Sequence, residues 1–138
     1  MSEDEIIDVL DLIFESIGLV EDRFREIDEC DDFVSTSNGV TLLDAIAMRL
    51  QVIAECVKRL EKKAPSLFER HTEIEWNKIA RFRDLVSHHY EHVDHEILYD
   101  ICQTHIPELR DIIQRMIKEV SEMEGSNDRD LCFKKFTS

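Results

Sequence analysis

Glycine and proline are scarce, with three Gly and two Pro in 138 residues. A β-sandwich or barrel needs many turns built on those residues, so both are disfavoured. A composition that is 43% hydrophobic and 35% charged is better material for long helices. Charges interrupt every hydrophobic stretch, so no apolar run approaches the roughly 20 residues that a membrane-spanning helix needs, and no membrane partner is expected. The N-terminal Met-Ser-Glu-Asp-Glu lacks the cationic region of a signal peptide, which predicts a cytoplasmic protein. There is also no CxxC pair. Cys30, Cys56, Cys102 and Cys132 lie far apart and read as small buried hydrophobes or free thiols, not as a disulfide framework or a zinc site. Positive charge is short too: 17 Lys and Arg against 31 Asp and Glu leave a formal charge of −14. Such a chain repels polyanions, which argues against a general nucleic-acid coating protein and against DNA as a partner.

What the chain does have is helical periodicity, over a length that suits one domain. Ile6, Leu10, Ile13, Ile17, Val20, Phe24 and Ile27 recur at alternating steps of four and three, which keeps one apolar stripe on a long first helix. Acidic residues with Ser, Thr, Asn and Gly break the pattern from Glu29 to Gly39, predicting a loop and cap region with Phe33 tucked back. A second stripe runs through Leu43, Ile46, Leu50, Ile53, Val57 and Leu60, and Pro65 stops it. Residues 66–72 read as a connection to a third helix carrying Trp76, Ile79, Phe82 and Val86. Asp94 is placed to cap a fourth, from about His95 to Glu124, which Pro107 should kink or split and Gly125 should end. The prediction is therefore an all-α, antiparallel up-and-down bundle of four main helices, with one domain over 1–125 and a C-terminal tail over 126–138. Phe133-Lys134-Lys135-Phe136 forms a small basic and aromatic patch in that tail.

Histidine is the compositional anomaly: His88, His89, His92 and His95 fall within eight residues. The segment from Arg81 to His95 also carries Arg83, Asp84 and Tyr90. Arginine offers a bidentate, permanently charged clamp for phosphate, and histidine titrates near neutral pH and can shuttle a proton. That pair is the minimum for phosphodiester chemistry without a metal. On a continuous helix, however, Arg83 and His88 approach only if the helix ends or loosens between them. Three other readings of this segment stand beside that one. The histidines can be solvated or paired with carboxylates. His88, His92 and His95, at i, i+4 and i+7 of a helix, can face one way and bind a metal, although the remaining stripes supply no inward carboxylates. Trp76 and Tyr90 can be core aromatics.

Arg83-Asp-Leu-Val-Ser-His88-His-Tyr90 matches the pattern arginine, four residues, histidine, any residue, tyrosine. With Arg49-Leu-Gln-Val-Ile-Ala-Glu55, Ile74-Glu-Trp76-Asn-Lys-Ile79, Val93-Asp94 and Glu96-Ile97-Leu98, it resembles the HepT-like toxins of the HEPN superfamily, those of HepT/MntA toxin and antitoxin pairs, over residues 4 to 122. The resemblance implies a helical bundle that acts as a homodimer and cuts RNA in a cleft shared by two protomers, without a metal or other cofactor. Carried over by position, Arg83 binds the scissile phosphate and His88 is the general acid or base for attack by the ribose 2′-hydroxyl. Tyr90 takes the place of the tyrosine to which a minimal nucleotidyltransferase antitoxin transfers AMP from ATP, the ATP being used by that partner. Asp84 stands where many members have Asn, and its charge beside the clamp either orients Arg83 or weakens RNA binding. Ala54-Glu55-Cys56 replaces a common Gly-Glu-Ala. A different reading keeps the same bundle as a non-catalytic scaffold for the transferase. The charge is also unevenly spread: from Lys78 to His95 three cations balance three carboxylates, so the acidity belongs to the rest of the surface.

Overall fold

The computed structural model describes the backbone of residues 1–89 and 92–137 and the side chains of residues 1–86 and 92–122. It is a helical bundle, as the composition requires. Helix α1, Glu3–Phe24, starts where the Ser2 hydroxyl accepts the Glu5 N–H at 3.2 Å, with Glu3, Asp4 and Glu5 on the positive end of its dipole. Its stripe buries Leu10, Ile13, Ile17 and Val20. Helix α3, Ser37–Lys63, is capped by the Thr36 hydroxyl on the Gly39 N–H at 2.9 Å, and buries the predicted set from Leu43 to Leu60. It stops before Pro65, with Lys62 and Lys63 in its last turn. Between α1 and α3 the expected loop contains a one-turn helix, α2, Asp32–Ser35, and Ser37 to Gly39 already belong to α3. The turn exists because Phe33 folds back, fully buried, with its ring stacked on Phe24 at a centroid distance of 6.3 Å.

The connection after Pro65 is partly helical as well: α4, Ser66–Glu69, buries Leu67 and Phe68. The third helix is where the expectation and the structure differ most. Instead of one helix there are two short ones, α5, Trp76–Ala80, and α6, Phe82–Val86, separated at Arg81, whose φ of −104° and ψ of 11° leave the helical region. A hairpin follows, β1, Ser87–His89, paired antiparallel with β2, His92–Val93. The Asp94 N–H takes the Val86 carbonyl at 2.6 Å, the acceptor that a continuing helix would have offered four residues on.

Asp94 caps the next helix as predicted, its carboxylate accepting the N–H groups of Glu96 and Ile97 at 3.1 Å. Helix α7, His95–Asp100, passes into a π turn, Ile101–His105, and then into α8, Ile106–Thr137. Pro107 therefore does not split the helix. Its missing N–H and its ring are accommodated by the widened turn just before it, where the Ile106 N–H reaches back to the Ile101 carbonyl. Nor does α8 end at Gly125; a lone glycine costs a helix only about 1 kcal/mol relative to alanine. The side chains of the tail patch lie outside the described residues.

Helix α1 packs against both α3 and α8, and α3 also meets α2, α5 and α6. Helices α5 and α6 lie on the outer length of α3, and α6 also meets α7. Cys56 and Cys102 are buried and Cys30 is half-buried, all as free thiols, in keeping with the reading of those three as packing residues; Cys132 lies outside the described residues. No helix among the described residues is long and apolar enough to cross a membrane.

Candidate active site

The motif segment hangs on two buried anchors. Phe82 and Val86, four apart, turn one face of α6 into the core. At about 100° per residue, this leaves Arg83 on one flank of α6 and Asp84 on its outer crest, and both are exposed. The helix ends at Val86, so His88, five residues after Arg83, has its backbone on strand β1. This is the helix end that an approach of guanidinium and imidazole requires. The imidazole of His88 and all of Tyr90 lie outside the described residues.

The same break removes the helical metal face. His88 is on β1, His92 is exposed on β2 and His95 is the first residue of α7, so the i, i+4, i+7 register does not exist in this segment. Among the described residues no three His, Cys, Asp or Glu side chains gather as a metal site.

Just before the motif, α5 is fixed by Trp76. Its indole Nε1 donates to the His71 carbonyl at 2.7 Å, and its ring meets Phe68 edge-on at 4.5 Å, so Trp76 is a core aromatic. His71 is the residue that sequence reasoning passed over. It is 4% exposed, and its Nε2 lies 3.0 Å from the Glu119 carboxylate on α8. Its Nδ1 is 3.7 Å from Glu73, which Arg115 also reaches at 3.2 Å. A backbone N–H, then Arg115 and His71, hold the Glu73 carboxyl below its ordinary pKa, against an opposing effect of partial burial. His71 and its neighbours thus tie the chain entering α5 to α8. No local pattern marks the tie, because Glu119 is 48 residues away.

The site's charge is set by what stays unpaired. Arg25, Lys58, Arg110 and Arg115 each face a carboxylate. Among the described residues, Lys78, Arg81 and Arg83 have no ion pair or side-chain hydrogen bond, so along α5 and α6 three free cations stand against the single carboxylate of Asp84. Arg81 and Arg83 are exposed and Lys78 is half-buried, and unpaired guanidinium and ammonium groups keep their capacity for an anion.

Comparison with known proteins agrees with this geometry. The sequence model of the family described as Ribonuclease HepT-like matches residues 13–116. A provisionally named ribonuclease HepT of Thermococcus cleftensis is 34% identical over 113 residues, covering 80% of this chain and 94% of that protein. A provisionally named RNase of Caldanaerobacter subterraneus subsp. tengcongensis is 28% identical over 107 residues, covering 71% and 89%. Another, from Methanocaldococcus jannaschii, is 30% identical over 87 residues, covering 63% and 67%. No solved structure matches the chain. These matches make the chain a member of the HepT-like ribonuclease family.

Proposed function

We propose that this protein is the toxin of a toxin and antitoxin pair, an endoribonuclease that works as a homodimer and needs no metal. The observation that carries the reading is the end of α6: an exposed, unpaired Arg83 is followed, immediately past the last helical residue, by the strand that bears His88. Membership of the HepT-like family and relatives named as RNases support RNA as the substrate.

In this reading Arg83 holds the non-bridging oxygens of the scissile phosphate and offsets the charge that builds on them during attack. His88 takes the proton from the ribose 2′-hydroxyl. The 2′-oxygen bonds to phosphorus, the P–O5′ bond breaks and the departing oxygen is protonated, leaving a 2′,3′-cyclic phosphate and a 5′-hydroxyl. Asp84, the next residue on α6, makes no ion pair with Arg83, and its charge beside the clamp lowers affinity for the polyanion. A two-fold dimer would double the patch into one cleft. A nucleotidyltransferase antitoxin silences the enzyme by moving AMP from ATP onto the Tyr90 hydroxyl, with release of pyrophosphate.

The test is cleavage of RNA by the purified protein in EDTA, with cyclic-phosphate ends as the readout. Wild type cuts, and Arg83→Ala and His88→Ala do not. If all three behave alike, the nuclease reading is wrong. Mass spectrometry after incubation with the transferase and ATP should find AMP on wild type and none on Tyr90→Phe. AMP transfer without any cleavage would leave the scaffold reading in place.

A further inference from the structure

An open-mouthed pocket of about 590 Å³ lies between the chain entering α5 and the outer side of α5 and α6. Its size falls in the range of small-ligand sites. Its lining includes the apolar side chains of Ile74, Trp76 and Leu85 and two cations, the half-buried Lys78 and the exposed Arg81. Both cations are unpaired among the described residues, in a chain whose formal charge is −14. Arg81 is exposed because the helix breaks there, with a geometry that belongs to neither α5 nor α6.

The pocket lies on the other flank of α6 from Arg83. Leu85 and Arg81 face one side of the Asp84 crest and Arg83 the other, on a helix only about 7.5 Å long. Arg81 and Arg83 are two residues apart, so their Cα atoms are separated by at most about 7 Å. A single polynucleotide strand with one phosphate on Arg83 therefore runs over a short crest to reach Arg81 with the next.

We propose that this pocket is a flanking-nucleotide subsite for single-stranded RNA, in which Lys78 and Arg81 hold the phosphate next to the scissile one and its base rests against Ile74, Trp76 and Leu85. The class of ligand rests on the ribonuclease reading above; the site itself rests on the pocket and its two unpaired cations. The polarity of the lining gives the ligand a direction. The Glu75 carboxylate, also in the lining, repels phosphate but accepts a hydrogen bond from an exocyclic base amine, as Asn77 can. The phosphate is thus directed to Lys78 and Arg81, and the base to the apolar lining of Ile74, Trp76 and Leu85. An apolar lining that also carries cations is the combination by which proteins hold single strands without reading much sequence.

The subsite is tested by binding, independently of cleavage. The probe is a fluorescent adenosine hexanucleotide carrying 2′-O-methyl groups, which block attack by the 2′-oxygen, titrated in EDTA at several salt concentrations. Each lost phosphate contact should lower the slope of log K against log salt by about 0.7 for a single strand. Arg81→Ala and Lys78→Ala should each show that drop together with weaker binding, and the double variant about twice the drop. Lys62→Ala, which removes an exposed cation on α3 outside the pocket, should leave slope and affinity as in wild type. The proposal is overturned if wild type does not bind the probe, if Arg81→Ala binds it as wild type does, or if Lys62→Ala has an equal effect, which would mean charge alone is being read. The two readings fail separately. Pocket-dependent binding with no RNA cut removes the nuclease and keeps the subsite; cutting that depends on Arg83 and His88, with Arg81→Ala binding normally, does the reverse.

Discussion

Gly18→Ala and Gly39→Ala are the same chemical change inside two long helices, and the structure gives them opposite signs. Gly18 is exposed in α1, and a Cβ built there meets no atom within 4 Å. Alanine then contributes only its helix propensity and its narrower unfolded ensemble, a gain of up to about 1 kcal/mol. Gly39 is in the first turn of α3, buried under α2. A Cβ there lies 3.1 Å from the carbonyl carbons of Asp32 and Phe33 and overlaps the Asp32 carbonyl oxygen. These are backbone atoms, so no rotamer change clears them. Moving them displaces Phe33, which is 0% exposed and stacked on Phe24. Overpacking of this kind sits at the upper end of its usual cost, about 3 kcal/mol. Subtracting a propensity gain of about 1 kcal/mol leaves a net loss of about 2 kcal/mol. For a domain of this size the Tm should rise by up to about 4 °C for Gly18→Ala and fall by about 8 °C for Gly39→Ala. Urea unfolding followed by circular dichroism, with the slope m unchanged, measures both. Propensity alone predicts that both variants gain, so a Gly39→Ala protein as stable as wild type would refute the packing argument.

Trp76→Phe removes the donor to the His71 carbonyl and leaves a buried acceptor unpaired, and urea unfolding should show a loss of about 1–3 kcal/mol. Ser16→Ala should do the opposite: its hydroxyl is buried with no hydrogen-bond partner among the described residues, so its removal should add up to about 1 kcal/mol, and a loss would mean that the hydroxyl is bonded. Asp94→Ala deletes the cap of α7 and should lower stability by about 1 kcal/mol in the same assay. Burial pushes the Cys102 thiol up from 9.0 to about 12, so the folded protein holds a proton that the unfolded chain gives up. That stabilisation is complete below pH 9 and is lost as pH rises toward 12. The margin of wild type over Cys102→Ala should therefore shrink by about 1.4 kcal/mol between pH 8 and pH 10, and an unchanged margin would contradict the burial.

The long helices were legible because their stripes are long. Six or seven apolar residues at steps of three and four have one arrangement that buries them all, and α1 and α3 adopt it. The Asp94 cap was legible for a local reason, a carboxylate two and three residues ahead of the N–H groups it accepts. Short elements carry no such redundancy. Helix α2 exists because Phe33 finds Phe24, and α4 because Leu67 and Phe68 find the core, contacts made only once the chain has folded. The break at Arg81 was hidden for the opposite reason: Trp76, Ile79, Phe82 and Val86 fit one helix by spacing, and each is buried with or without the interruption. In the candidate site, Arg83 and Asp84 stand out through the resemblance of their motif, whereas His71 was silent because its partner is remote in sequence. The pocket beside Arg81 could not be foreseen without the break that exposes that residue.

Two helices of five residues carry the motif region, and this separates its persistence from that of the bundle. A five-residue helix closes too few hydrogen bonds to repay its own nucleation, so α5 and α6 exist only as long as Trp76, Phe82 and Val86 stay docked. The amides of residues 76–86 should exchange with solvent deuterium through local openings, well before those of Ile13 or Leu50, which report global unfolding. Any molecule that settles on this segment can slow its exchange while the melting of the bundle hardly changes. Protection confined to residues 76–94 would then be its signature, and a screen that follows Tm alone would miss it.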